Sequence, residues 1–531
     1  MIHNDQGGKV PVLLQCCLDR VREDLPVVDR IISRYGDLSL REYLTTLARA
    51  TRPSCQGLDG LLDIVYRYVA PLLGKAVATS LAEDLACHPM VLTTSHHGVD
   101  YCAQTLQGRI IFSLSRGIGT SAFKTVPVFA CGNIALNNPT YPRGLLCYRG
   151  ACHDLERLPH QLPLFPDRLK RTMVHRVPAY DQVMVGNLRD RLDRMVGRGS
   201  LPSDIGAAAR AILMEDYRSA ALAAVPDYSG QAVILNGLIW KRLFAEGFRP
   251  PEMITLELER IVAALLGLDL DNPSSLARIV LFDPILRENV LNELNGIKGC
   301  WNRDRFGESS AASAKDAAHA ESGSYRGTVF FWGVDRAGRR IPLSTAGRGS
   351  GESVLGGVDD QGTAWEIPLT PDMISRSLEQ RQLVPSLFTC FLVLAFARGV
   401  CCVGGYFQGE YLVAMQQGLA AALASTPGYG DLVQGILRVP ATLYLDGMIG
   451  VMSRLANGLL IPAGPLEITA GGGLTEADME RMLALEVRSA HLADLFEIIP
   501  DGAPPQSRAA GWKGRLAAAG SAWLEQRVVV K

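Results

Sequence analysis

The stretch MVLTTSHHGVDYCAQTLQGRIIFSLSRGIGTSAFKTVPVFACG, residues 90–132, contains three short apolar runs separated by glycines and polar residues. These runs are MVLTT (90–94), RIIFSLS (109–115) and TVPVFACG (125–132). Each run is β-branched or apolar and is bounded by glycine, proline or polar residues, which is typical of buried strands. The stretch therefore predicts a central sheet region near residues 90–180.

Helical patterns lie on both sides of this region. Apolar residues recur at the spacing of amphipathic helices before residue 90 and again between residues 180 and 300. The segment GTVFFWGVDRAGRRIPL (327–343) consists of two alternating runs around a turn, which predicts a β-hairpin. We therefore expect a helix-rich mixed α/β fold, with a central sheet flanked by helices and a hairpin near residues 327–343.

The predicted organisation has several successive parts. From the N-terminus these are a helical region (1–89), a mixed α/β core with the candidate site (90–180), a second helical region (181–302), a flexible insertion (303–326), a hairpin with a helical C-terminal region (327–500) and a tail (501–531). The insertion is predicted because its residues are rich in serine, alanine and glycine and poor in apolar side chains. Ser39, Thr370 and Thr475 are expected to cap the helices that follow them.

The composition is that of a globular protein with a large core. Hydrophobic residues make up 48% of the chain, which excludes a disordered or fibrous protein. Lys and Arg number 53 and Asp and Glu 54, so the net charge of -1 predicts no general attraction to nucleic acid or to an anionic membrane. The most apolar run, residues 387–397, is too short for a membrane span and predicts a buried helix.

A cytoplasmic location is expected from two further features. The N-terminal residues MIHNDQGGKVPVLLQ lack a basic segment followed by an apolar one, so no signal peptide is predicted. Most of the 12 cysteines lie in apolar runs, as core cysteines do in a reducing compartment. The abundance of Ala, Gly, Leu and Arg, with few Lys, is typical of a bacterial-type sequence. The sequence specifies neither a cofactor nor an oligomeric state.

The first candidate site is the segment TTSHHGVDYC, residues 93–102, at the end of the first predicted strand. Ligands gather at strand ends in open α/β sheets. Adjacent imidazoles cannot share one face of a strand, so either His96 or His97 is expected to act as general base while the other supports it. Asp100 is predicted to orient a histidine by accepting its ring N–H. The alternative is a polar turn whose histidines satisfy backbone groups.

The second candidate site follows the strand TVPVFACG, in the segment ACGNIALNNPTYPRGLLCYRG, residues 130–150. Asparagine offers both donors and acceptors, and the arginine fork matches a carboxylate or a phosphate. The predicted substrate-binding residues are Cys131, Asn133, Asn137, Asn138, Arg143 and Arg149. The alternative is a turn-rich connector with structural asparagines.

The spacing from His96 to Asp100 gives the short pattern HxxxD. This pattern resembles the motif of His-dependent acyltransferases of the condensation type. In those enzymes the histidine deprotonates an attacking hydroxyl or amine, and the aspartate is structural. The resemblance covers five residues, and no segment like DFGWG follows it. It implies general-base chemistry at His96 or His97.

Several other segments are weaker candidate sites. Cys147, Cys152, His153 and His160 form an array without standard zinc spacing. The GxGxxA segment at 116–122 is expected to be a glycine turn, and GRGSGES (347–353) a flexible loop. The segment GGYFQGEYL (404–412) contains Gln408 and Glu410. Its glycines indicate either a break in helix packing or a close approach of the backbone to a ligand.

These observations predict a soluble biosynthetic enzyme that carries out group transfer, in the form of acyl or amide chemistry, on a polar or anionic small molecule. No GxSxG, GxxxxGK[ST] or HExxH motif and no kinase signature is present, which weakens the common hydrolase, NTPase, metalloprotease and kinase alternatives. One alternative is a metal-dependent hydrolase or lyase that uses the same His and Asp cluster. Another is a non-catalytic binding or scaffold protein.

Overall fold

The structure is a computed structural model of the chain. It describes residues 9–50, 57–116, 123–150, 155–297, 299–303, 328–347, 353–445, 447–502 and 508–531. Several predictions lie outside these residues: nearly all of the insertion at 303–326, residues 117–122 of the GxGxxA segment, residues 348–352 of the GRGSGES segment, and Cys152 and His153.

Helices account for most of the described residues, which confirms the prediction of a helix-rich mixed α/β fold. In the first part of the chain they are α1 (Val12–Asp24), α2 (Pro26–Tyr35), α3 (Leu40–Ala50), α4 (Leu61–Leu73), α5 (Lys75–Cys87), α6 (Ala103–Arg116), α7 (Gln182–Gly197), α8 (Ser203–Ala211), α9 (Tyr228–Arg242), α10 (Leu258–Asp271), α11 (Leu276–Phe282) and α12 (Pro284–Glu293). In the remainder they are α13 (Pro371–Glu379), α14 (Leu387–Phe391), α15 (Gln408–Ser425), α16 (Val433–Leu437), α17 (Pro465–Ala470), α18 (Glu476–Ala484), α19 (Val487–Ala493), α20 (Leu495–Gly502) and α21 (Trp512–Glu525).

The strands are short and form several small sheets. They are β1 (Met90–Leu92), β2 (Thr125–Ala130), β3 (Gly144–Cys147), β4 (His160–Pro163), β5 (Glu252–Glu257), β6 (Phe331–Val334), β7 (Arg340–Pro342), β8 (Ser344–Gly347), β9 (Ser353–Val358), β10 (Ala364–Pro368), β11 (Leu383–Pro385), β12 (Cys401–Val403), β13 (Val451–Arg454), β14 (Leu460–Pro462) and β15 (Val529–Val530).

The central sheet has the strand order β12-β1-β2-β5, and every neighbouring pair is parallel. Side chains of β1 alternate between two hydrophobic cores, because Met90 and Leu92 belong to one and Val91 to the other. Helices α6 and α9 contribute to the first core, and α4, α5, α10 and α15 to the second. The sheet therefore lies between two helical layers, and burial on both faces explains the continuous apolar runs of its strands.

One predicted strand of this region is wrong. Residues 109–115 lie in helix α6, not in a strand. Nearly every residue of α6 is buried, so the segment lacks the polar face that identifies an amphipathic helix. A short apolar run without a clear period fits a buried helix as well as a buried strand.

Two strands of the central sheet come from regions that the sequence pattern did not assign to it. Strand β5 (Glu252–Glu257) runs directly into helix α10, so the helical spacing of that segment concealed a strand at its start. Strand β12 (Cys401–Val403) has three residues, too few to establish a period. The predictions for β1 and β2 are confirmed.

The β6–β7 hairpin is confirmed, and its register matters for the site. Val334 pairs with Arg340 and Trp332 pairs with Pro342 in an antiparallel ladder. Residues two apart on a strand share a face, so Trp332 and Arg340 are diagonal neighbours on the same side of the hairpin.

The expected helix starts and the expected buried helix are also confirmed. Thr370 and Thr475 accept hydrogen bonds from the first turns of α13 and α18. Ser39 and Glu42 hydrogen-bond each other at the start of α3. The apolar run at 387–397 forms α14, which continues into a π-helical turn at Leu392–Phe396.

Candidate functional site

A cavity of about 580 Å³ lies at the carboxyl end of the central sheet. Its walls come from the segments that follow β1, β2 and β12, from the β6–β7 hairpin and from the first turns of α15. Strand β1 leads to α6 in one layer, whereas β12 leads to α15 in the other layer. The chain therefore turns to opposite faces from two neighbouring strands, which is the position where open α/β sheets form their ligand crevice.

His96 lines this cavity, whereas its neighbour His97 does not. The two residues follow β1 in an extended segment that pairs with the end of β2, through the backbone bonds of His97 and Cys131. Successive side chains of extended backbone point to opposite sides. One imidazole therefore faces the cavity and the other is buried.

The hydrogen bonds around His96 define which ring nitrogen carries the proton. The Thr140 hydroxyl donates to Asn138 Oδ1 at 3.0 Å, so it acts as acceptor towards His96 Nδ1 at 3.2 Å. Nδ1 is thus protonated, and Nε2 carries the lone pair. The neighbouring Asn137 is exposed, and its backbone N–H donates to the Lys170 carbonyl. Asn138 therefore belongs to the site, and Asn137 lies outside it.

Burial lowers the pKa of His96 to about 4, with Asp100 opposing the shift and Arg340 adding to it. An ordinary histidine gains its proton as the pH falls through about 6.5. His96 is therefore expected to remain neutral, and able to accept a proton, down to about pH 4. Titration of the His96 ring signals by NMR, assigned with a His96→Gln variant, measures this pKa. A midpoint near 6.5 would contradict the environment described for this ring.

Cys131 lines the cavity as a protonated thiol. Its Sγ donates to Glu259 Oε1 at 3.0 Å, and burial raises its pKa well above the usual value, with the Glu259 charge adding to the rise. The same carboxylate accepts the backbone N–H groups of Gly132 at 2.6 Å and Asn133 at 3.2 Å. A thiol of this kind is a poor nucleophile, and these two N–H groups already have an acceptor.

Asn133, Thr94 and Arg340 complete the polar end of the cavity. Thr94 Oγ1 is buried and has no hydrogen-bond partner among the described residues. A buried polar atom without a partner is costly, so a bound molecule is the natural partner for this hydroxyl. Arg340 lies over the Trp332 ring, with 4.7 Å between the guanidinium carbon and the ring centroid.

His97 belongs to a buried polar network behind the cavity. Its Nε2 lies 3.1 Å from the Ser229 carbonyl and 2.9 Å from the Ser229 hydroxyl. That hydroxyl donates to Glu257, which also contacts His175. Burial lowers the pKa of His97, so a neutral ring that donates from Nε2 fits these contacts. His97 supports the loop after β1 rather than facing the cavity.

Asp100 forms a buried ion pair and does not contact an imidazole among the described hydrogen bonds. Its carboxylate lies 2.8 Å from the Arg109 guanidinium, and the two side chains are 4% and 1% exposed. It also accepts from the Cys102 backbone N–H at 2.9 Å and from the Thr105 hydroxyl. These contacts anchor the start of α6, which is the structural kind of role that the HxxxD resemblance implied.

Arg143 and Arg149 lie outside the cavity. Arg143 Nε donates to the Phe165 carbonyl at 2.9 Å, and its guanidinium contacts Asp167. Arg149 donates to Asp204 at 2.6 Å. Each guanidinium is thus satisfied by a local partner.

Several residues that line the cavity are not among the site residues predicted from the sequence. They are Arg340 and Trp332 from the hairpin, Tyr406 and Phe407 from the segment that leads into α15, and Tyr411 from the first turn of α15. The glycine pair in GGYFQGEYL was a usable signal, since Gly405 lines the cavity. The hairpin residues had no such signal, because nothing in their local pattern points to the loops after β1 and β2.

Within the part of the chain that the structure describes, no three His, Cys, Asp or Glu side chains converge as a metal site would require.

Comparison with known proteins identifies one partial similarity. A protein of Aspergillus violaceofuscus (strain CBS 115571) named the MFS-type transporter ungB is 27% identical over 186 residues, which represent 35% of this chain and 31% of that protein. The chain thus matches about a third of the length of that relative. No protein family model and no solved structure matches the chain. Among the described helices, none combines the length and the apolar character needed to cross a membrane.

Proposed function

We propose that the chain is an enzyme that transfers an acyl or amide group on a small molecule, with His96 as general base. The observation that carries this proposal is the His96 ring. It lines a cavity at the carboxyl end of the sheet, its Nδ1 lies 3.2 Å from the Thr140 hydroxyl, and burial keeps the ring neutral by lowering its pKa to about 4. A neutral imidazole with a free lone pair is the group that accepts a proton from a hydroxyl or an amine.

The proposed step conserves atoms and charge. His96 Nε2 takes the proton of the acceptor hydroxyl or amine, and the acceptor oxygen or nitrogen forms a bond to the acyl carbon. The bond from that carbon to the leaving group then breaks, and the leaving group receives the proton from His96. Asn133 and Thr94 are the donors able to stabilise the charge that develops on the acyl oxygen.

The proposal rests on fewer residues than the sequence suggested. His96, Cys131, Asn133 and Asn138 share the cavity, whereas the other predicted site residues do not line it. Hydrolysis differs from group transfer only in that water is the acceptor. A binding protein without turnover remains the alternative that the following experiment separates.

The test is an unbiased search for substrate turnover. Full-length wild-type protein and the His96→Gln variant are incubated with a metabolite extract supplemented with acyl thioesters, and mass spectrometry follows all species. We expect at least one substrate–product pair that changes with the wild type and not with His96→Gln. His160→Gln is the matched control, because His160 lies on β4 and does not line the cavity. Identical changes with both proteins, or no change with the wild type, would contradict the proposal.

A further inference from the structure

Among the described residues, Arg340 has no anionic partner, unlike several other arginines of the chain. Its guanidinium makes no hydrogen bond and no ion pair within the part of the chain that the structure describes, and it lies over the Trp332 ring. The adjacent Arg339 has Asp360 at 3.4 Å, and the buried Arg398 is paired with Asp269 at 2.7 Å. A partly buried guanidinium at a cavity wall without a carboxylate is poised to bind an anion.

The contact with the Trp332 ring fixes the position of the Arg340 guanidinium. The β6–β7 register places both side chains on one face of the hairpin, and the indole supports the guanidinium from one side. Stacking of this kind leaves the N–H donors of the guanidinium available at its edges. Burial is the main cause of the low His96 pKa, and the Arg340 charge adds to it, as expected if the guanidinium lies near that ring.

The cavity wall offers a single cationic side chain among its described residues. Among the described lining residues, the charged groups are Arg340 and Glu410, since His96 is neutral. Glu410 lies in the first turn of α15. Its Oε1 accepts a hydrogen bond from the backbone N–H of Val27, with 3.4 Å between the nitrogen and the oxygen. The wall thus has one positive and one negative side chain, and the single guanidinium can pair with one carboxylate of a ligand, whereas the described wall has no second cation for the two charges of a phosphate monoester.

The rest of the wall is apolar and aromatic. Tyr406, Phe407 and Tyr411 come from the start of α15, and Leu387 and Ile297 from neighbouring segments. Apolar walls with a few convergent polar groups are typical of small-molecule sites, where the apolar surface supplies affinity and the polar groups set orientation.

We propose that Arg340, stacked on Trp332, binds the carboxylate of a monoanionic substrate whose apolar body packs against Tyr406, Phe407 and Tyr411. This inference rests on the proposed function, because it assigns a substrate class to the same cavity. The carboxylate on Arg340 orients the substrate so that its reacting group lies next to His96.

Direct binding tests the inference without any assay of turnover. Octanoate, phenylbutyrate and their primary amides are titrated by calorimetry into the wild type, Arg340→Met and Arg339→Met at neutral pH. We expect the wild type to bind at least one of the carboxylates roughly tenfold more tightly than its amide. Arg340→Met loses this preference. Arg339→Met, the matched control on the same hairpin, retains it.

The wild-type comparison remains decisive even if Arg340→Met folds poorly, because acid and amide are compared on one protein. Equal affinity for acid and amide, absence of binding of both acids to the wild type, or a retained preference in folded Arg340→Met would overturn the inference. A second readout is the pKa of His96, which should rise when a carboxylate neutralises Arg340. The acid and amide titrations require no turnover, so failure of the catalytic proposal and failure of this inference give different results.

Discussion

Replacement of His96 by glutamine should lower the turnover rate by about 10²- to 10⁴-fold, the usual contribution of a general base. Glutamine offers an amide in place of the imidazole and cannot accept a proton at neutral pH. Because His96 is half-buried at the cavity wall, its replacement should cost about 1 kcal/mol of unfolding free energy, the usual contribution of one hydrogen bond. The measurements are initial rates on the reaction found by the mass-spectrometric search and urea denaturation of both proteins.

His97→Gln provides the contrast to this result. His97 is fully buried and hydrogen-bonded to Ser229, so its replacement should cost about 1–3 kcal/mol of unfolding free energy. The two neighbouring histidines should therefore differ in kind, one required for turnover and the other for stability. Full turnover in His96→Gln, or a catalytic defect without destabilisation in His97→Gln, would reverse these assignments.

Asp100→Ala should destabilise the protein by about 3–5 kcal/mol, because it leaves the Arg109 guanidinium buried without its counter-charge. The same change removes the acceptor for the Cys102 N–H and the Thr105 hydroxyl at the start of α6. Urea denaturation with linear extrapolation measures the loss.

Two matched variants separate this effect from that of an ordinary ion pair. Asp190→Ala breaks the exposed pair of Asp190 with Arg189 and should cost less than about 1 kcal/mol. The double variant Asp100→Leu with Arg109→Met removes both buried charges and should recover part of the stability lost in Asp100→Ala. If Asp100→Ala lost turnover but almost no stability, the carboxylate would have a catalytic rather than a structural role.

The sequence contained enough information to predict β1, β2 and the β6–β7 hairpin, because each is a short apolar or alternating run with clear ends. It did not distinguish residues 109–115 from a strand, since the helix that contains them is buried on all sides and has no polar face. Strand β5 was concealed by the helical pattern of α10, which follows it without a loop.

The sequence predicted only residues of the candidate site that closely follow a predicted strand. His96, Cys131, Asn133 and Asn138 follow β1 and β2, so the rule that ligands gather at strand ends selected them. Arg143 met the same rule in sequence, but it precedes β3, where local carbonyl and carboxylate groups bind it. Arg340 reaches the cavity through tertiary packing of a hairpin far along the chain, which no local pattern records.

The strand order of the central sheet has a consequence for the synthesis of the protein. Strand β1 lies between β2 and β12, yet residues 401–403 are translated long after residues 90–92. While the ribosome makes the intervening chain, one edge of β1 has no neighbour, and an open strand edge pairs readily with other chains. The nascent polypeptide therefore carries an unpaired β1 edge through most of its translation, and a message truncated before β12 yields a product in which this edge stays open.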